Sequence, residues 1–180
     1  VIVAKEENLE KMKKRLDAIA GDVPKTTILL AEKCLDEATI DQSLLRQIRT
    51  EHTDRRPLYI NFTSGSTGLP KGVAVSHRAV MDFIRIYADT FAITKEDIIG
   101  NQAPFDFDVS VKDIYTGLLT GAKVQIIPRE YFSDPTTLMD YMADSKMTVL
   151  TWAVSAMCFV SVMNGFDYRI PDTVRKVLFS

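Results

Sequence analysis

Hydrophobic residues recur at helical spacing near the beginning of the chain, in a segment otherwise rich in lysine and glutamate. Leu9, Met12, Leu16 and Ile19 follow one another at steps of three or four residues. This spacing predicts an amphipathic helix. Gly21 can end that helix, because glycine accepts a positive dihedral angle.

The remainder of the first third has a weaker pattern. Residues 26–30 form an apolar run that predicts a strand, and residues 43–49 predict a short helix. Residues 50–57 are polar and predict an exposed connector. We therefore expect residues 1–56 to form a lead-in region of helix and strand.

Beyond residue 57, short apolar runs and amphipathic helical patterns alternate. The predicted strands are 58–62, 73–75, 97–103, 123–127, 148–151 and 175–179, and the predicted helices are one that Ser76 caps, 109–119, 135–145 and 154–163. Helical crossovers return the chain in the same direction, so consecutive strand-helix units favour parallel strands. The pattern over residues 57–180 predicts an α/β fold with a mainly parallel sheet and helices on both faces.

The composition is that of an ordinary soluble globular protein, with 46% hydrophobic and 26% charged residues in a chain of 180. Lys and Arg number 22 and Asp and Glu number 24, which leaves a formal charge of -2. The net charge therefore gives the protein no electrostatic attraction to nucleic acid or to an anionic membrane surface. We expect small-molecule chemistry and no nucleic-acid partner.

The spacing of the cysteines and the hydropathy of the chain bear on where in the cell the protein is expected. Cys34 and Cys158 lie far apart without paired spacing, which predicts neither a metal site nor a disulfide scaffold and fits a cytoplasmic location. The charged start of the chain argues against a secretory signal. The most apolar stretch, 149–163, includes serine and threonine and is shorter than the roughly 20 residues that span a bilayer. We expect no membrane insertion.

A cluster of small polar residues lies between two short apolar runs. Residues 63–72 include three glycines, two serines, two threonines and one lysine. Glycines let backbone N-H groups approach a phosphate, hydroxyls add donors, and a lysine adds a mobile positive charge. The residues predicted to bind phosphate are Thr63, Ser64, Gly65, Ser66, Thr67, Gly68 and Lys71. On composition alone, a flexible surface hairpin is an equal alternative.

The loop does not match the Walker pattern of kinases and NTPases. Pro70 stands where that pattern has glycine, and Gly72 stands where it has the magnesium-binding serine or threonine. The spaced glycines of a dinucleotide-binding fold are not matched either. The pattern therefore disfavours a generic kinase or NTPase.

The stretch from Phe62 to Val73, FTSGSTGLPKGV, resembles the signature loop of the adenylate-forming superfamily. That superfamily includes acyl-CoA synthetases, luciferases, peptide-synthetase adenylation domains and D-alanine carrier-protein ligases. In that family the loop holds the β- and γ-phosphates of ATP, and the resemblance implies this role for residues 63–71. It also implies that the chain is a fragment of the large N-terminal domain of such an enzyme.

A second segment, FDVSV at 107–111, lies between a predicted strand and a predicted helix, where open α/β sheets bind ligands. From the residues alone, a capping box from Ser110 to Asp113 is favoured, with Asp108 complementing the positive helix end. The segment and its continuation through DIY and LLTGA are also similar to amino-acid-activating members of the superfamily. In those members an aspartate pairs with the α-ammonium group of the substrate, and the resemblance implies this role for Asp108.

Three more residues resemble pocket-lining positions of the same family, namely Val109, Lys112 and Thr151. Lys112 has two readings. A lysine inside the pocket would favour a substrate with an acidic side chain, whereas a lysine on the solvent face would have no such role. Lysines are mostly exposed, which favours the second reading.

The resemblance implies ATP-dependent activation of an amino acid as an acyl-adenylate, with release of pyrophosphate and Mg²⁺ bound with the ATP. Transfer to a phosphopantetheine carrier protein, or to CoA, would follow. The alternatives are an acyl-CoA synthetase for simple or fatty acids and a catalytically inactive nucleotide-binding relative.

Where the chain begins and stops bears on its catalytic residues. It starts with Val1 and stops at Ser180 directly after a strand-like run, so we expect a piece of a longer protein. The resemblance implies that the family's catalytic lysine lies outside this chain, and that the fragment alone is inactive.

Overall fold

In the computed structural model of the chain, residues 1–19, 26–34, 40–63 and 68–179 are described. They divide into two compact units, Val1–His52 and Thr53–Ser180.

The first unit contains a short parallel strand pair and small helices. Its elements are β1 (Ile2–Ala4), a 3-10 helix (Glu6–Asn8), α1 (Leu9–Asp17), β2 (Ile28–Leu30), α2 (Ala31–Cys34) and α3 (Gln42–Glu51). β1 pairs with β2 in parallel. The Asp41 carboxylate caps α3, because it accepts hydrogen bonds from the N-H groups of Ser43 and Leu44 at 2.9 and 3.0 Å.

The predictions for this unit are confirmed in part. The helix over Leu9, the strand that ends at Leu30 and the helix over residues 43–49 are all present. The proposed helix end at Gly21 lies outside the described residues. β1 and α2 were not predicted, since three or four residues are too few to establish a period.

The second unit contains a hairpin followed by strands and helices in alternation. Its elements are β3 (Pro57–Thr63), β4 (Lys71–Ser76), α4 (His77–Thr90), β5 (Ile98–Asn101), α5 (Ser110–Thr120), β6 (Lys123–Ile126), a 3-10 helix (Arg129–Ser133), α6 (Pro135–Asp144), β7 (Val149–Trp152), α7 (Val154–Val162), α8 (Gly165–Tyr168) and β8 (Lys176–Phe179). The last four strands form one sheet in the order β6-β5-β7-β8, and each neighbouring pair is parallel. β3 and β4 form a separate antiparallel hairpin.

Side chains alternate between the two faces of the four-stranded sheet and form a core on each. On one face, Ile99 and Val149 pack with Tyr87 of α4. On the other, Leu150 and Trp152 pack with the side chains of α6 and α7, including Leu138, Met139, Met142 and Val160. The predicted α/β fold, with helices on both faces of a mainly parallel sheet, is therefore confirmed.

Local sequence signals account for several helix ends in this unit. The Ser76 side chain accepts a hydrogen bond from the Ala79 N-H at 3.2 Å, which begins α4 as predicted. Asp134 caps α6 in the same way through Thr136 and Thr137. Gly121 ends α5 at a φ of +77°, a left-handed conformation that glycine adopts without strain.

Within the described ranges, no helix is long and apolar enough to cross a membrane.

Candidate functional site

The hairpin β3-β4 carries the segment that was predicted to bind phosphate. Thr63, the last residue of β3, pairs with Lys71, the first residue of β4, and both are exposed. Ser64, Gly65, Ser66 and Thr67 lie outside the described residues. Gly68 has a φ of +80°, a conformation that other residues adopt only with strain. The segment is therefore carried by a hairpin at the surface, and this position is compatible with the predicted phosphate-binding role.

An open cleft of about 330 Å³ lies beside Asp108. It is bordered by the hairpin, by α4 and by the beginning of α5; the lining residues are Tyr59, Val75, Ala79, Val80, Phe83, Asp108, Val109, Val111 and Lys112. The cleft thus joins the hairpin that carries the predicted phosphate loop to the segment predicted to bind substrate.

A second cavity of about 360 Å³ shares part of its lining with this cleft. Tyr59, Asp108 and Val111 line both cavities, and Phe105, Phe107 and Tyr115 contribute aromatic walls to the second. Burial, followed by the charge of Asp108 and the nearby Tyr115, raises the pKa of Tyr59. Asp108 therefore lies near the phenol of Tyr59 and lines both cavities.

The capping-box interpretation of the second segment is wrong. The N-cap of α5 is Val109, and no side chain caps this helix end. The Ser110 hydroxyl instead donates to the Phe107 carbonyl at 2.8 Å, and the Asp113 side chain turns inward to the sheet. Asp108 itself is exposed at the cleft, so its carboxylate is available to a ligand.

The other predicted substrate residues, Val109, Lys112 and Thr151, differ in burial and in whether they line the cleft. Val109 and Lys112 are half-buried and line the cleft with Asp108. Thr151 is only 2% exposed and lies beneath the surface, where its hydroxyl is 2.9 Å from the Tyr87 hydroxyl. Asp108, Val109 and Lys112 are therefore together in one cleft, while Thr151 belongs to a buried layer below.

That buried layer also contains Asn101, Asp113 and Tyr87, whose role in it the sequence did not predict. The Asn101 amide donates to Asp113 Oδ2 at 2.9 Å, and the hydroxyls of Thr151 and Tyr87 lie 2.9 Å apart. Burial raises the pKa of Asp113 to about 6, against the lowering effects of Asn101, Lys112 and Thr151. Burial likewise raises the pKa of Tyr87. A carboxyl group that titrates near neutrality therefore lies directly below the cleft.

A wider cavity of about 800 Å³ opens at the carboxyl ends of β5, β6 and β7. Its walls include Gln102, Phe105, Arg129, Phe132 and Ser155. Open α/β sheets bind ligands at this edge, so the carboxyl end of the sheet offers space in more than one place. Within the described part of the chain, no group of three or more His, Cys, Asp or Glu side chains could hold a metal ion.

The parallel sheet and the cleft beside the beginning of α5 define an open α/β domain with a cleft in the region where such domains bind ligands. The model of the family described as "AMP-binding enzyme" matches residues 1–179. The chain therefore belongs to the AMP-binding enzyme family, as the sequence resemblance suggested.

Two curated relatives are carrier-protein ligases. The chain is 34% identical over 152 residues to a D-alanine--D-alanyl carrier protein ligase of Bacillus cytotoxicus, an alignment that covers 78% of this chain and 30% of that protein. It is 34% identical over 122 residues to an L-proline--[L-prolyl-carrier protein] ligase of Pseudomonas fluorescens, covering 68% of this chain and 24% of that protein. The chain thus spans less than a third of the length of these relatives.

Solved structures share the fold at lower identity. The N-terminal domain of FACL13 from Mycobacterium tuberculosis gives a TM-score of 0.73 at 18% identity and covers 99% of this chain and 44% of that one. VinN, solved in complex with L-aspartate, gives 0.69 at 18% identity and covers 98% of this chain and 42% of that one. The fold is therefore that of a larger known domain, of which this chain supplies a part.

Proposed function

We propose that the chain is part of an ATP-dependent ligase that activates an amino acid. A carboxylate oxygen of the amino acid attacks the α-phosphorus of ATP, the bond from that phosphorus to the bridging oxygen breaks, and pyrophosphate leaves. The products are an aminoacyl-adenylate and pyrophosphate. The observation that carries this proposal is the position of Asp108 in an open cleft that the loop-bearing hairpin also borders.

Asp108 supplies the selection for an amino acid over a simple acid. Its carboxylate lies at the cleft and does not cap helix α5, so it can pair with an α-ammonium group. Once a ligand excludes water from the cleft, either charge left unpaired would be costly. A simple acid has no ammonium group and would leave Asp108 without a partner.

The hairpin supplies the nucleotide side of the site. Thr63 pairs with Lys71 in the hairpin, and the sequence between Thr63 and Gly68 is Ser64, Gly65, Ser66 and Thr67. Backbone N-H groups, hydroxyls and one lysine in this composition suit the β- and γ-phosphates. Charge neutralisation and alignment carry most of the catalytic effect in transfer reactions at phosphorus.

Lys112 supplies a preference among amino acids. It lines the same cleft as Asp108, is half-buried there, and is separated from Asp108 by about one helical turn. A cleft with one carboxylate and one ammonium group is complementary to a substrate with an α-ammonium and an acidic side chain. We therefore propose aspartate or glutamate as the preferred class of substrate.

The proposed reaction also requires an acceptor for the activated amino acid and a metal ion for ATP. Both curated relatives described above are named as carrier-protein ligases, which supports a phosphopantetheine carrier protein as acceptor, with CoA as the alternative. The described residues offer no metal cluster, so the proposal assigns Mg²⁺ to the incoming ATP. Two exposed, unpaired cysteines, Cys34 and Cys158, support a cytoplasmic location.

The test is ATP-pyrophosphate exchange by the full-length protein with matched pairs of substrates. Alanine is compared with propionate, and aspartate with succinate, so that each pair differs in the α-amino group. The proposal predicts exchange with amino acids and at least about a hundredfold less with their deaminated partners. Exchange with the acids alone would instead support an acyl-CoA synthetase, and ATP binding without exchange for any substrate would support a catalytically inactive nucleotide-binding relative.

A further inference from the structure

Asp108 borders two cavities that differ in chemistry. The first, the cleft described above, includes the Lys112 side chain, whereas no lysine, arginine or histidine is among the described residues that line the second. The second cavity has aromatic walls instead, and Phe105 and Phe107 in these walls are 60% and 58% exposed. An amino acid held by Asp108 therefore has two directions for its side chain, one toward a cation and one toward uncovered aromatic surface.

The two cavities suit different side chains. An acidic side chain is attracted to Lys112 in the cleft, and it is repelled in the second cavity, where Asp106 and Asp108 contribute carboxylates. A phenyl ring gains more in the second cavity, because the aromatic walls offer it apolar surface and ring edges. The choice between the two cavities is thus a choice between acidic and aromatic amino acids.

The boundary between the two cavities consists of the residues that line both. Of the described residues, these are Tyr59, Asp108 and Val111. Asp108 is the proposed anchor for the substrate, and Val111 is a small side chain in the first turn of α5. The ring of Tyr59 is therefore the largest part of this boundary.

Tyr59 is held in a paired part of the hairpin. It is half-buried, and its partner in β4 is Val75, which also lines the cleft. The pairing continues beyond Tyr59 to Thr63 and Lys71, so both strands are regular on the loop side of this ring. A ring on a paired strand keeps its place more firmly than a ring on a loop. Tyr59 is thus suited to act as a fixed wall.

We propose that Tyr59 is a specificity-determining residue whose ring separates the Lys112 cleft from the second cavity. An amino acid paired with Asp108 then directs its side chain toward Lys112, and the aromatic walls stay out of its reach. This inference rests on the proposed function, because it explains how one anchor can favour acidic over aromatic amino acids. Tyr59 acts by excluding the wrong side chain and takes part in no covalent step.

The test compares phenylalanine with aspartate in ATP-pyrophosphate exchange by the full-length protein, where the wild type should favour aspartate. Tyr59→Ala removes the ring and joins the two cavities. The ratio of kcat/KM for phenylalanine to kcat/KM for aspartate should therefore rise at least about tenfold. Both values come from the same sample, so a partial loss of folded protein cancels from the ratio. Tyr59→Phe keeps the ring and should keep the wild-type ratio within about twofold.

The matched control is Tyr115→Ala, which removes the same kind of side chain from the lining of the second cavity but not from that of the cleft. Because the boundary remains, the ratio should stay within about twofold of the wild-type value. An unchanged ratio in Tyr59→Ala would overturn the proposal, and so would an equal rise in Tyr115→Ala. If Tyr59→Ala does not fold, Val111→Ala thins the same boundary and should raise the ratio about threefold, and an unchanged ratio in that variant would overturn the proposal.

A crystal structure of full-length Tyr59→Ala with a phenylalanyl sulfamate analogue of the adenylate locates the side chain directly. The phenyl ring should lie in the second cavity, between Phe105 and Tyr115, and a ring in the Lys112 cleft would contradict the proposal. Aspartate-dependent exchange by the wild type, with an unchanged ratio in Tyr59→Ala, would refute this inference alone. Absence of exchange with every amino acid would refute the proposed function and this inference with it.

Discussion

Two aspartates, each 1% exposed, lie at opposite ends of strand β5 and have different surroundings. Asp97 directly precedes the strand and meets cations: its Oδ1 is 2.6 Å from Arg175 Nη2, and its Oδ2 is 3.9 Å from Lys176 Nζ. Asp113 is bonded to Asn101, the last residue of the strand, and its hydrogen-bond partners are neutral. One carboxylate is balanced by charge and the other is not.

The pKa values follow this difference in opposite directions. Burial alone would raise the pKa of Asp97, but hydrogen bonds from Thr148 and from the Thr94 N-H, with the charges of Lys176 and Arg175, lower it overall. Burial dominates at Asp113 and raises its pKa to about 6. The carboxylate at the amino end of β5 is therefore stabilised by cations, whereas at the carboxyl end burial outweighs the nearby charge of Lys112.

The largest expected effect is that of Asp108→Asn, a substitution near the carboxyl end of β5 that should impair activity without lowering stability. Asp108→Asn should reduce kcat/KM for amino-acid-dependent pyrophosphate exchange about a thousandfold, because the substrate ammonium would lose its charged partner. The melting temperature should hardly change, since Asp108 is exposed and caps no helix. Asp106→Asn, a neighbour that lines only the second of the two cavities, is the matched control.

The next effect concerns stability against pH. A raised pKa in the folded state means that Asp113 contributes stability below pH 3.8, and that this contribution is lost as pH rises through about 6. The unfolding free energy of wild type minus that of Asp113→Asn should therefore fall by about 2 kcal/mol between pH 4 and pH 7. Denaturant titrations at both pH values measure it. If this difference in unfolding free energy is the same at both pH values, the contrast between Asp97 and Asp113 is contradicted.

Asp97 should show the opposite sign. Its lowered pKa means that it contributes stability above pH 3.8 and loses that contribution as pH falls below it. Asp97→Asn should cost about 2 kcal/mol at pH 7, less than a fully buried pair would, because Arg175 is half exposed. Glu96→Gln, an exposed neighbour, should cost less than about 0.5 kcal/mol. Equal unfolding free energies for Asp97→Asn and the wild type at pH 7 would contradict the stabilising role of this ion pair.

The smallest effect tests substrate choice. Lys112→Met keeps most of the side-chain length and removes the charge, so exchange with aspartate or glutamate should fall about tenfold relative to alanine. Lys123→Met on β6, which removes an exposed cation elsewhere, should leave the ratio unchanged. An unchanged ratio in Lys112→Met would eliminate the proposed preference for acidic substrates.

The sequence predicted the parallel sheet well because each strand-helix unit repeats a strong local pattern. The predicted strand 175–179 and helix 135–145 correspond to β8 and α6 within one residue at each end. A contiguous motif carries Asp108 and Lys112, so the sequence alone can propose them as site residues. The Asn101–Asp113 bond joins residues 12 apart and the Tyr87–Thr151 bond residues 64 apart, and only the strand order brings such pairs together.

The most direct measurement is a crystal structure of the full-length protein with an aminoacyl sulfamate analogue of the adenylate. The account predicts the ligand's α-ammonium within hydrogen-bonding distance of Asp108, in the cleft that Lys112 lines, with the phosphate-side groups toward the hairpin of β3 and β4. A ligand whose amino group lies elsewhere, with the Asp108 cleft filled by solvent, would contradict it.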